Sequence, residues 1–271
     1  MDILARLTDA VARLSGGSPL AAAVLVSLYA AAMTALGGFL AVFARGSRAS
    51  SSRMERLLDV GMGFSSGVMI VASFLSLLIP AMDLAGLPVP LASFVLGAAT
   101  ISLVNELLPH EHIVKGYEGP EHLKRKIRAA WLVAVAIIIH NLPEGMAIGA
   151  STAYNVSEGV VVGIAIGTQD FPEGLAVSLP VYASTGSLAL AIAVAALSGL
   201  SEVVTSALAA FVAGASSAVL AGALAFASGA MVYVVSHEAL PESHRSGHEK
   251  PATLGFFAGF IVMLALDAGL G

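Results

Sequence analysis

Residues 129–151 read AAWLVAVAIIIHNLPEGMAIGAS. The flanks of this stretch suit hydrocarbon, but its middle holds His140, Asn141, Pro143 and Glu144. As a membrane helix it requires that polar island to be buried in a bundle, because lipid offers polar groups no partner. The pattern recurs twenty-nine positions later in IAIGTQDFPEGLAVSLP, residues 164–180, where Gln169, Asp170, Pro172 and Glu173 fall in the same order. Two segments therefore pose the same question.

The rest of the chain answers the first half of it. Of 271 residues, 57% are hydrophobic and only 11% charged, with a mean hydropathy of +0.89; a soluble domain carries about 25% charged residues. Eight apolar runs, each long enough for a hydrocarbon core of about 30 Å, fall near residues 20–43, 57–80, 89–108, 129–151, 159–182, 188–212, 217–237 and 253–270. Runs of this length without strict alternation are helices, not barrel strands. The expected fold is thus an all-α integral membrane protein of eight transmembrane helices, forming one domain over residues 1–271. Residues 109–128 form its one long polar loop.

Orientation follows from the basic residues. With both termini outside, Arg45, Arg48, Arg53, Arg56, Lys115, Lys124, Arg125, Lys126, Arg128, Arg245 and Lys250 lie inside, and only Arg6 and Arg13 outside. That distribution obeys the positive-inside rule and makes 109–128 cytoplasmic. The N-terminal MDILARLTDAVARLSGGSP is amphipathic and mixed in charge, unlike a cleaved signal peptide. No basic stripe interleaved with aromatics points to nucleic acid. With no cysteine there is neither a disulfide nor a thiolate ligand.

Helical geometry stacks His140 over Glu144, four residues apart, with Asn141 about 100° round; Gln169, Asp170 and Glu173 repeat the arrangement. Pro143 and Pro172 each free a carbonyl one turn earlier, and Gly145 and Gly174 leave room for close helix contact. The sixth run adds Glu202. Four carboxylates at membrane depth cost about 2.5 to 3.5 kcal/mol each, on the order of 10 to 14 kcal/mol together. Those spans carry no lysine or arginine, so the counter-charge is protons, sodium or metal ions; two dications match four carboxylates. Imidazole with carboxylates and amide oxygens suits Zn²⁺ or a neighbouring first-row dication better than Na⁺ or Mg²⁺. From the residues alone three readings stand: a transition-metal transport site, a proton- or sodium-coupled site for an organic substrate, and a structural polar cluster. A membrane metallohydrolase is disfavoured, since no HExxH motif occurs.

The segments HNLPEGMAIG and QDFPEGLAV resemble the signatures of the ZIP (Zrt/Irt-like) metal transporters, particularly the bacterial branch. GVMIVASFLSLLIPAMD, PHEH, VVSHEALPESHRSGHE and the eight-helix count extend the likeness over nearly the whole chain. The resemblance implies an inward carrier of zinc and related divalent metals (cadmium, iron, manganese, cobalt) in the bacterial inner membrane, and no enzyme. It implies a two-metal centre between the fourth and fifth helices, an inverted 3+2+3 arrangement, a homodimer and an elevator-type movement. By carry-over, Met69, His140, Glu144, Gln169 and Glu173 hold the transported ion. Asn141, Asp170 and Glu202 complete a second site, with Glu144 and Glu173 bridging. Channel-like permeation is the second reading within metal transport.

Peripheral residues carry weaker readings. Asp83 either attracts cations at the entrance or is a helix-end residue. Glu106, His110, Glu111, His112, His237 and Glu238 either relay the ion to the cytoplasm or are solvated. His122, His244 and His248 either buffer metal or are ordinary loop residues.

Overall fold

The computed structural model describes residues 2–44, 48–108, 110–112, 116–118 and 129–268. Arg45, Lys115, His122, Lys124, Arg125, Lys126 and Arg128 lie outside the described residues. Apart from a three-residue antiparallel hairpin, β1 (His110–His112) with β2 (Gly116–Glu118), the described elements are helices. These are α1 (Asp2–Leu14), α2 (Pro19–Phe39), α3 (Arg48–Val71), α4 (Ile79–Ala85), α5 (Pro88–Leu107), α6 (Ala129–Tyr154), α7 (Val156–Thr185), α8 (Leu188–Ala213), α9 (Ser217–Val234), α10 (Leu240–Ser243) and α11 (Glu249–Ala268).

Seven stretches among the described residues are long and apolar enough to cross a membrane: Pro19–Val42, Glu55–Ala85, Pro88–Leu107, Val156–Tyr182, Leu188–Ala213, Ser217–Ser243 and Glu249–Ala268. Helix α6, which carries the first polar island, is 26 residues long. Both α6 and α7 run unbroken through Pro143, Pro172 and Pro180. Side-chain caps start the helices: Ser18 accepts from the Ala21 amide, Asn155 from Ser157, Ser187 from Leu190 and Ser216 from Val219. Helix α7 ends at Gly186, whose φ of 68° lets its amide return to the Tyr182 carbonyl at 2.8 Å.

Two helices extend beyond their apolar runs. The second run continues through a π-helical stretch, Ala72–Leu78, into α4, and the seventh through a second π-helical stretch, Val235–Ala239, into α10. Each stretch ends just before a proline, Pro80 or Pro241, at the second position of the following helix. Proline has no amide for the carbonyl four residues back and its ring crowds that carbonyl; the wider turn relieves both. His237 and Glu238, placed by sequence at a helix end, therefore lie inside a wide turn of a continuing helix.

Packing divides the bundle. Helices α2, α6, α7 and α8 all pack on one another, while α3 packs chiefly on α11 and α5 on α9. Small residues bring the axes together. A methyl at Gly37 or Gly174 would strike the Phe171 or Thr34 carbonyl across the α2–α7 contact, and one at Gly145 or Gly149 would strike the backbone of Glu202 or Ser206 on α8. Gly63, Gly67, Gly255 and Gly259 close α3 on α11 in the same way, and Gly97 and Gly229 close α5 on α9. The map keeps its form when α2 exchanges with α8, α3 with α9, α5 with α11 and α6 with α7: α2–α7 becomes α8–α6, and α3–α11 becomes α9–α5. Outward side chains such as Leu96, Leu103, Leu208, Phe211, Leu254 and Ile261 are exposed and apolar, the surface a bundle presents to lipid.

Candidate metal centre

The i, i+4 pair of α6 and the matching face of α7 meet inside the α2–α6–α7–α8 group. His140, Glu144 and Glu173 offer ligand atoms within 4.8 Å of one another, and so do Glu144, Asp170 and Glu202. Glu144 belongs to both groups. Glu173, expected beside it as a second bridge, belongs to the first group alone. Glu202 arrives from α8 because Gly145 on α6 leaves no side chain between the two backbones. All five residues are buried, with Glu144 and Glu202 fully inaccessible.

Hydrogen bonds hold these side chains without satisfying them. Gln169 Nε2 donates to Glu144 Oε1, and Ser65 Oγ to Glu173 Oε1. Asn141 Nδ2 lies 2.9 Å from both Glu202 Oε1 and Ser198 Oγ. On the other side of His140, Nδ1 is 3.4 Å from Glu238 Oε2, while Glu238 Oε1 accepts from Asn105 Nδ2 at 2.7 Å. That leaves His140 Nε2, Asn141 Oδ1, Glu144 Oε2, Gln169 Oε1, both oxygens of Asp170 and Glu202 Oε2 buried with no hydrogen-bond partner among the described residues. With His140 Nδ1 donating to Glu238, every one of these atoms is an acceptor. Buried acceptors left unpaired cost about 1–3 kcal/mol each, and more when charged, so an array of them could hold a cation.

Sequence reading placed His140, Asn141, Glu144, Gln169, Asp170, Glu173 and Glu202, and the structure brings them together. Met69 is fully buried on α3, its sulfur 3.8 Å from the Ser65 hydroxyl that donates to Glu173. Glu238, expected near the cytoplasmic exit, is buried against His140 and not solvated. Ser65, Asn105 and Ser198 were missed; each is an isolated small polar residue in an apolar run, and only its distant partner marks it.

The outer residues disperse. Asp83 is exposed on α4 and Glu106 in the last turn of α5. His110, Glu111 and His112 form β1, which runs beside α6. His237 stacks on Tyr233 at 4.9 Å. His248 Nδ1 meets the buried Asp59 at 2.8 Å, His244 Nε2 meets Thr253 at 3.2 Å, and Asp267 accepts from Ser76 at 2.8 Å.

Known proteins resemble this chain over most of its length. The sequence profile of the family described as ZIP Zinc transporter matches residues 105–267, which include α6, α7 and α8. Zinc transporter ZIPB of Bordetella bronchiseptica is 40% identical over 259 residues, covering 92% of this chain and 81% of that protein. Zinc transporter GufA of Myxococcus xanthus is 39% identical over 263 residues, covering 92% and 99%. Zinc transporter ZupT of Akkermansia muciniphila is 32% identical over 259 residues, covering 88% and 94%. The chain belongs to the ZIP zinc transporter family.

Proposed function

We propose that this integral membrane protein carries zinc into the cytoplasm through the site shared by α6, α7 and α8. The carrying observation is the convergence of seven unpartnered buried acceptor atoms on two groups of ligands that share Glu144. The relatives' zinc-transporter names support zinc as the substrate. The soft and imidazole donors, Met69 and His140, extend the range to cadmium, and the oxygen-rich second group extends it to iron, manganese and cobalt.

In this reading zinc exchanges its water for His140 Nε2, Glu144, Gln169 Oε1 and Glu173, with Met69 at the edge. Asn141 Oδ1, Glu144, Asp170 and Glu202 hold the second ion. Glu238, itself held by Asn105, accepts the hydrogen bond from Nδ1–H of His140 and so leaves the Nε2 lone pair for the metal. Two dications balance the four carboxylates. Protons compete for the same atoms, so acid weakens the site. On the inner side Glu106, His110, Glu111, His112, His237 and Glu238 are the candidate relay; Asp83 is the candidate entrance residue.

The movement is an elevator-type displacement of α2, α6, α7 and α8 against α3, α5, α9 and α11. Glycine supports it: the contacts in which a glycine meets another helix's backbone join helices of the same set. Between the sets, Gly61 on α3 faces only the ring of Pro172. The exchange pattern in the packing map and the paired π-helical stretches support eight crossings in an inverted 3+2+3 order. The rest of the reading is a homodimer in the bacterial inner membrane with both termini outside.

Zinc uptake into proteoliposomes, measured for the wild type beside Glu144→Ala and His140→Ala, tests the reading. Saturable uptake lost in both folded variants supports it. Wild-type protein that takes up no dication refutes it, and a non-saturating flux with weak temperature dependence replaces the carrier by a channel.

A further inference from the structure

The N-terminal helix α1 has no part in the metal centre, yet its surface is sorted into three sectors. At about 100° per residue, Leu4, Thr8, Val11 and Ala12 fall within about 100° of arc. These four are the half-buried positions of the helix. Leu4 and Val11 pack against the hydrophobic core, and the Thr8 hydroxyl is buried. Ile3, Leu7, Ala10 and Leu14 occupy a second sector of about 60°. All four are exposed, Ile3 and Leu14 each by 77%. Ala5, Arg6, Asp9 and Arg13 fill the third and are exposed too.

An amphipathic helix lying on a soluble bundle needs two faces, one for the core and one for water. A third face, apolar and uncovered, has a use only where the surroundings themselves change from water to hydrocarbon. The length of α1 agrees: 13 residues reach about 20 Å, too short to cross a core of about 30 Å. The turn after it agrees as well. Gly16 and Gly17 both take positive φ, 60° and 77°, so α1 does not continue the axis of α2 but folds back against α2 and α7. Only Ser15–Ser18 separate α1 from α2, which opens with the exposed apolar residues Pro19 and Leu20. The uncovered face is therefore held close to the lipid-facing belt.

We propose that α1 is seated in the headgroup–acyl boundary of the bilayer, at the end of the bundle where α2 begins. Ile3, Leu7, Ala10 and Leu14 enter the acyl region, Arg6, Asp9 and Arg13 stay in water, and Leu4 and Val11 tie the seat to the protein. Its occupant is the lipid surface, and it stands independently of which ion the centre carries.

The chain has no cysteine, so single-cysteine variants of the full-length protein can carry a spin label in proteoliposomes without further changes. Collision with oxygen, which concentrates in lipid, is compared with collision with a water-soluble nickel chelate. Ile3→Cys, Leu7→Cys and Leu14→Cys are expected to favour oxygen severalfold. Arg6→Cys, Asp9→Cys and Arg13→Cys are expected to favour the chelate, and Val11→Cys to meet neither reagent. Labels at 3, 7 and 14 as open to the chelate as those at 9 and 13 would place the face in water and overturn the proposal. Labels there shielded from both reagents would place it under protein, such as a second copy of the chain, and overturn it equally. If one of these variants fails to purify as a folded protein, Ala10→Cys replaces it on the same face.

Discussion

The two groups of ligands share Glu144 but are supported differently. The second, with Asp170 and Glu202, is held from α6, α7 and α8: Asn141 donates to Glu202 and to Ser198, and Gln169 to Glu144, all on those same helices. The first, with His140 and Glu173, is held from outside as well: Ser65 reaches it from α3, and Glu238 and Asn105 from the π-helical turn after α9 and from α5. If the site-bearing helices move as a body, the second group keeps every contact and the first exchanges its supports. On that proposal the first group is the one that loads and releases, and the second travels with the body.

The strongest way to break this comparison is to remove what the groups share. Glu144→Gln should lose both ions, and zinc uptake should fall by on the order of 100-fold or more, because it removes the carboxylate both ions share and leaves two dications facing three carboxylates. Metal analysis of the purified variant, showing fewer than one bound ion beside two for the wild type, checks this. An unchanged metal content would mean that Glu144 bridges nothing.

Asp170→Asn separates the groups. Removing one charge from the second should weaken its ion by about tenfold or more, since ligand charge sets affinity in oxygen sites, while the first group still binds zinc. Titration with competing chelators should show one site shifted and one retained; equal occupancy of both sites would deny that Asp170 matters to the second ion.

Glu238→Gln touches only the first group and only through His140. A neutral amide holds the imidazole less firmly, and outer partners of this kind are worth about 10-fold in affinity. The half-saturating zinc concentration should rise by that factor, with second-site binding unaffected. Asn105→Ala should move the same quantity in the same direction by less.

The smallest effect belongs to the seam. Gly61→Ala sets a methyl against Pro172, at a cost on the order of 1 kcal/mol, or roughly fivefold in rate if it falls on the moving step. Uptake should slow with both ions still bound. A matching change at Gly174, where the obstacle is the Thr34 backbone, should instead lower the melting temperature of the purified protein.

Much of this was legible in one dimension because burial in a membrane leaves periodic marks. Apolar runs of helix length marked the spanning helices, and the spacing of His140 with Glu144, and of Gln169 and Asp170 with Glu173, put each set of ligands on one face before any contact was known. The mismatch of four acids with no base announced a cation. The chain alone did not show that Glu202, 58 residues beyond Glu144, stands beside it. Nor did it show that Ser65 and Asn105 were more than stray polar residues, or that Glu238 turns inward within a π-helical stretch.

What the sequence determined by itself was therefore local: helix, face and charge. What only the tertiary structure decided was partnership, meaning which helices pack together, which supports reach the ligands from other helices and which face of α1 is left uncovered. The physical reason is that periodicity acts through one helix's own backbone. Choice of neighbour instead depends on small residues at many similar positions, and a glycine declares its partner only when another carbonyl lies against it.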